Sequence, residues 1–253
     1  MLLKAAINGR RKLSEHPAIP ISPDQQAKQA TIAVAAGAGA IHVHPRTSAG
    51  RDSLAPEDIA KALNAIRAAC PTIPIGVSTG AWIEPEIDRR LMLIDGWDIL
   101  PDFAGVNFHE PGAMQTCRIL LEKGVGVEAG IWNAEAAHRF RRSGLSICCL
   151  RVLIEPGQES GDPKSRLVEI EAALQHIAGR RLLHGFETST WEFVALASRR
   201  GYDARIGFED TLTLPDGSPA EDNGPTGGSG AASHRSASIC LILSPDMAAC
   251  IAP

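Results

Sequence analysis

The chain lacks three signatures that would assign it to a class at once. None of its six cysteines (Cys70, Cys117, Cys148, Cys149, Cys240, Cys250) forms a Cys-x-x-Cys pair. Neither a thioredoxin-like redox motif nor a cysteine-based zinc knuckle is therefore suggested. Cys148 and Cys149 sit in an apolar run that reads as interior, and a reducing, cytoplasmic setting fits such free thiols best. Long one-sign charge blocks are also missing: 25 Lys and Arg stand against 29 Asp and Glu, for a formal net charge of −4. A nucleic-acid or anionic-membrane partner is not expected from that balance, and a small-molecule partner is. No run approaches the about 18 apolar residues that announce a membrane span, and the opening Met-Leu-Leu-Lys leads into a short strand-like run without a signal-peptide pattern.

What is present begins with Ala40-Ile41-His42-Val43-His44-Pro45-Arg46. Ile41 and Val43 alternate with His42 and His44, so a buried strand would project both imidazoles from one face. A lone core histidine is usually a packing residue. Two that are one strand step apart, at a strand end before a Pro-Arg turn, point instead to a shared metal ion.

Strand-like and helix-like segments alternate along the chain. Strands are expected at 4–8, 40–46, 73–78, 103–108, 125–132, 147–154, 181–186 and 204–208. Helices are expected at 23–37, 56–70, 84–95, 113–123, 134–142, 164–177 and 191–200, the first entered through Ser22 as cap with Pro23 at the first helical position. Eight strands separated by helices, several of them continuously apolar, predict an α/β fold closed as a parallel (β/α)8 TIM barrel over residues 1–213. Chemistry in that fold gathers at the carboxyl ends of the strands, where His42, His44, Ser78, Asn107, Glu128, Glu209 and Asp210 all fall. Residues 214–253 read differently, being rich in Gly, Ser and Pro without helical period, and an atypical, irregular tail is expected there. Its glycine-rich part, 224–230, is no phosphate-binding loop and is given no cofactor role.

A catalytic metal in a barrel needs about three protein ligands and an open position. Arg205-Ile206-Gly207-Phe208-Glu209-Asp210 supplies two carboxylates at the end of the closing strand. Neighbouring strand residues point opposite ways, so one of them, Glu209, is assigned to the metal. His109 and His184 compete as ligands of a hydrolase-like site of the amidohydrolase type. Ser78-Thr79-Gly80 offers hydroxyls at a strand end. Glu128 puts a charge inside an apolar strand and requires a cation, for which Arg205 is the expected partner.

The runs Glu15-His16-Pro17-Ala18-Ile19-Pro20, Ala40 to Arg46, Ser78-Thr79-Gly80 and Arg205 to Asp210, with Asn107 and Glu128, resemble the β-keto acid cleavage enzymes. This family includes 3-keto-5-aminohexanoate cleavage enzyme, and the likeness extends over residues 4–211. It implies a zinc-dependent barrel, a homo-oligomer (typically a tetramer) that converts a β-keto acid and acetyl-CoA into acetoacetate and a new acyl-CoA. By position, His42, His44 and Glu209 would hold Zn2+. Asp210 would be the base, Arg205 its orienting cation, and Glu128 would hold Arg205. Ser78 would bind the substrate carboxylate, with Thr79, Gly80, Asn107 and Arg46 around it, and Glu15 would face the variable end, favouring a cationic group. Three departures stand out. Gly105 occupies a position where the family often has a hydroxyl residue. The stretch after Glu128, Ala129-Gly130-Ile131-Trp132-Asn133, is less acidic than usual. The family's closing helix is replaced by the Gly/Ser-rich tail, a change that a reading-frame shift would produce and that makes an inactive, metal-binding homologue the remaining alternative.

Overall fold

A computed structural model of the chain describes residues 1–156 and 161–222. Eight strands, all parallel, close in sequence order: β1 (Leu3–Ala6), β2 (Ala40–Val43), β3 (Ile75–Ser78), β4 (Phe103–Asn107), β5 (Gly126–Ile131), β6 (Arg151–Ile154), β7 (Arg181–Leu183) and β8 (Asp203–Ile206), with β8 pairing back onto β1. Between them run α1 (Pro23–Ala35), α2 (Pro56–Ala69), α3 (Ile87–Asp95), α4 (Ala113–Glu122), α5 (Ala134–Ser143), α6 (Pro163–Ala173) and α7 (Thr190–Arg199). The expected (β/α)8 barrel is therefore the fold. Among the described residues no helix follows β8, and no helix is long and apolar enough to cross a membrane.

Local chemistry sets the helix starts. Ser22 caps α1 through a reciprocal capping box with Gln25, and Pro23 occupies the first turn. Asn133 accepts from the Ala136 N–H at the start of α5, and Asp162 accepts from Lys164 and Ser165 at the start of α6. Ile59, Leu63 and Ile66 form the buried stripe of α2 against the barrel.

One boundary moved for a physical reason. The apolar run 147–154 was expected to be strand throughout, but α5 ends at left-handed Gly144 and 145–147 form a short 3-10 turn. Ile147 is 90% exposed and Cys148 is exposed with it, so neither belongs to the core; the strand starts at Arg151. The chain needs those residues to travel from the helix layer back to the barrel, and topology overrides their hydrophobicity.

The described start of the expected tail packs on the barrel. Thr213 bridges to Pro219, and Leu214 and Ala220 join the hydrophobic core. The rest of that segment, including 224–230, lies outside the described residues.

Candidate functional site

His42 projects from β2 and His44 from one residue beyond its end. Asn8, just past β1, extends the ladder to hold it: its side chain accepts from the His44 N–H (2.8 Å) and donates to the His44 and Pro20 carbonyls (2.9 and 3.1 Å). Glu209 arrives from the opposite side of the seam between β1 and β8, its N–H donating to the Ala6 carbonyl (3.1 Å). Two glycines make room for that approach. A Cβ on Gly207 would lie 2.1 Å from the Ala6 carbonyl oxygen, and one on Gly9 would lie 2.2 Å from the Glu209 side chain.

The three expected metal ligands converge. His42 Nε2 lies 3.6 Å from Glu209 Oε2, and His44 Nε2 lies 3.6 Å from Glu209 Oε1. One ligand atom from each residue falls within 4.8 Å of the others. These separations are too long for hydrogen bonds. His42 Nδ1, both nitrogens of His44 and Glu209 Oε2 are buried without a hydrogen-bond partner among the described residues. Orphaned buried polar atoms are costly, and two imidazoles with one carboxylate are the donor set of a catalytic zinc, so the residues fit a single divalent ion. The carboxylates around His44 draw a cation to this point, so a metal ion bound there would displace the proton that His44 otherwise holds. Burial, with His44, Lys4 and Arg205 adding, keeps the His42 imidazole well below its ordinary pKa against the pull of Glu209. Burial also pushes His44 down, but Glu209 and Asp52 outweigh it and raise it to about 9. Against the upward push of burial, Arg205 and the two imidazoles hold the Glu209 carboxyl well below the usual range. Asp52, on the loop after β2, lies 3.6 Å from His44 Nδ1 and 2.9 Å from Arg46 Nη1, an orienting position behind the ligand.

A cleft of about 400 Å³ opens beside this centre. Ser78, Asn107, Glu15, Arg205 and Glu209 line it, and Gly105 leaves a side chain's worth of space, a Cβ there meeting nothing closer than the Val77 carbonyl at 4.0 Å. Arg205 clasps Asp210 with Nε and Nη2 (3.1 and 2.5 Å to Oδ1) and reaches Glu209 Oε1 at 3.1 Å. Asp210 has no exposed surface; it lies beneath Arg205, with His184 Nδ1 3.3 Å from its Oδ1. His184 Nε2 in turn meets Glu155 Oε2 at 2.8 Å, and both His184 and Glu155 face the cleft.

Several sequence expectations are corrected by these contacts. Glu128 does not hold Arg205. It lies deeper in the barrel, fully buried, paired with Lys4 from β1 and with Arg151 from β6 (3.0 Å), which continues to Asp203 (3.4 Å). Arg46 does not face the cleft: it donates to the carbonyls of Gly9 and Arg11 and pairs with Asp52, pinning two loops together. The Thr79 hydroxyl is spent on the Gly105 carbonyl (2.7 Å), and Gly80 makes room for the Trp82 ring. His109 packs on Trp132 and His184 pairs with two carboxylates, so neither belongs to the three-residue donor cluster, contrary to the hydrolase alternative. Sequence reasoning missed Asn8, Asp52, Glu155 and the pairing role of His184. Only the Leu183-His184-Gly185 break in a short apolar strand hinted at the last.

The sequence model of the beta-keto acid cleavage enzymes matches residues 1–226. The chain belongs to that family. The 3-keto-5-aminohexanoate cleavage enzyme of Fusobacterium nucleatum subsp. nucleatum is 27% identical over 241 residues, covering 88% of this chain and 87% of that protein. The enzyme of the same name from Acetoanaerobium sticklandii is 25% identical over 244 residues, covering 88% of each. Among solved structures, the ternary complex of ObcA with a C4-CoA adduct and oxalate superposes with a TM-score of 0.61 at 15% identity, over 81% of this chain and 61% of that one. The 3-dehydroquinate dehydratase from Aquifex aeolicus VF5 superposes with a TM-score of 0.54 at 12% identity, over 83% and 91%. At such identities the two structures share the barrel with this β-keto acid cleavage enzyme and nothing finer. The chain spans less than two thirds of the ObcA structure.

Proposed function

We propose that this family member cleaves a β-keto acid by acyl exchange with acetyl-CoA, releasing acetoacetate and a new acyl-CoA, with zinc held by His42, His44 and Glu209. The observation that carries the reading is the convergence of those three donors at the mouth of a cleft lined by Ser78, Asn107 and Arg205. Bound there, the ion would supply Lewis acidity toward the oxygens of the keto acid. The chain's own groups do the rest. The Ser78 hydroxyl, which accepts the Gly80 N–H (3.3 Å), keeps its proton free to donate to the substrate carboxylate. Arg205, fixed by Asp210 and Glu209, presents a charge that cannot titrate away and stabilises negative charge as it develops at the reacting carbonyl. The proton removed from the carbon between the two carbonyls passes to the chain Glu155–His184–Asp210, of which Glu155 and His184 reach the cleft and Asp210 lies behind. Trp82 and Trp132 wall the cavity and limit water around the reacting atoms. Small-molecule acid and acetyl-CoA are the partners, and a homotetramer is the assembly the family suggests.

The test is to load the purified protein with zinc, quantify the metal, and incubate it with a panel of β-keto acids and acetyl-CoA. Acetoacetate and a new CoA thioester should appear together, one for one. A fully metallated protein that forms no thioester with any acid would overturn the reading and favour a binding role.

A further inference from the structure

The charged groups around the cleft can be paired off one by one. Glu15 is already engaged: Arg11 Nη1 lies 3.1 Å from its Oε1, and the Lys12 N–H donates to its Oε2 at 2.8 Å. Arg11 is itself occupied, giving its remaining nitrogens to Glu187 and to the Phe208 carbonyl. Glu155 is matched by His184, and Glu209 by Arg205, which Asp210 also engages. Arg10 remains. Among the described residues it makes no ion pair, and its guanidinium sits 5.4 Å from the centre of the Trp82 ring, at the rim of the same cleft. Trp82 leans in turn on the imidazole of His44, ring centres 6.2 Å apart.

A guanidinium that lies over an aromatic face at the exposed rim of the cleft, with no carboxylate among the described residues to pair with, is open to an anionic group of the substrate. A cationic tail would find the cleft's carboxylates already paired and would meet Arg10. We propose that the far end of the substrate is anionic: this cleft takes a β-keto acid bearing a second carboxylate, bound by the Arg10 guanidinium where it lies over the Trp82 ring. The inference rests on the cleft being a β-keto acid site, and it separates this chain from the relatives above, which are named for a substrate that carries an amino group. It also reverses the role that Glu15 alone suggested.

The experiment compares three six-carbon acids with acetyl-CoA on the zinc-loaded protein: 3-oxohexanedioate, 3-oxohexanoate and 3-oxo-5-aminohexanoate. The dicarboxylate should exceed the amino acid in kcat/KM by about tenfold to a hundredfold, the worth of a charge-assisted hydrogen bond. Arg10→Ala should erase that preference by slowing the dicarboxylate alone, with the KM for acetyl-CoA unchanged. Preference for the amino substrate, or a preference that survives Arg10→Ala, overturns the proposal. So does a rise in the KM for acetyl-CoA shared by all three acids, which would give Arg10 to a CoA phosphate instead. Calorimetry with the unreactive hexanedioate and hexanoate separates this from the activity itself. If no acid is turned over, tighter binding of hexanedioate that is lost in Arg10→Ala still supports anion selection, and equal binding of the two sinks it.

Discussion

Replacing Glu128 with Gln decides whether that carboxylate works in catalysis or in the barrel. The substitution keeps the volume and removes one charge from a cluster in which Glu128 and Lys4 have no exposed surface and Arg151 has 7%. Burial already pushes the Lys4 ammonium below its ordinary pKa against the pull of Glu128. Without the carboxylate, Lys4 keeps no counterion among the described residues and Arg151 keeps Asp203. Breaking a buried pair by removing one partner costs about 3–5 kcal/mol. For a domain of this size each kcal/mol moves the Tm by about 2–4 °C, so a fall of roughly 6–20 °C is expected. Thermal unfolding followed by circular dichroism, with urea titration to confirm an unchanged slope, measures it. Zinc content and turnover per folded molecule should hold near the parent's values. Adding Lys4→Met should recover part of the loss, since the stranded charge goes with its partner. A Tm within about 2 °C of the parent, together with a hundredfold loss of turnover, would return Glu128 to the catalytic machinery and refute the argument from burial.

Other perturbations read the centre and its surroundings. Glu209→Gln should lower bound zinc sharply in metal analysis; undiminished content would remove Glu209 from the ligand set. Asp210→Asn should keep the metal and reduce kcat by about 10²–10⁴, the range for a lost acid–base group, and full activity would exclude it from the proton path. Peptide mapping after mild alkylation should label exposed Cys148 well before Cys149 and Cys117, whose thiols burial raises to about 12, each helped by a neighbouring cysteine. The Glu155–His184 pair should show in the pH dependence of stability. Although burial opposes both shifts, the partners' attraction lowers Glu155 from 4.5 and raises His184 from 6.5. The Glu155 contribution is thus full above its unfolded value and lost as the pH falls through its folded one; the His184 contribution is full below its unfolded value and lost as the pH rises through its folded one. The Tm gap between parent and His184→Gln should be widest between about 4.5 and 6.5 and narrow toward alkaline pH. A gap that is flat with pH would deny the pairing.

Much of this was legible because it is local. The period-two run Ala40 to Arg46 puts both imidazoles on one face whatever the rest of the chain does. The alternation of apolar strands and capped helices left few architectures open, and Ser22 with Pro23 marked the start of α1 to the residue. What local reading misjudged was burial where the path of the chain prevails. Ile147 and Cys148 look like core and lie outside because α5 has to be joined to β6.

The two imidazoles on one strand face and the order of elements were therefore legible in the sequence alone, since each depends on residue type and spacing, whereas Glu209 comes within 3.6 Å of both histidines only because the barrel closes. Which carboxylate meets which cation was decided only by the closed barrel. Glu128 takes Lys4, 124 residues away, and leaves Arg205 to Asp210, because strand register brings β1 and β6 to the interior level of β5. The same closure brings Glu187 and the Phe208 carbonyl to Arg11, whose pairing with Glu15 is local, four residues along the chain, and leaves Arg10 without an ion pair among the described residues at the rim. Charge pairing in a barrel depends on distances across the cylinder, and no spacing along the chain encodes them.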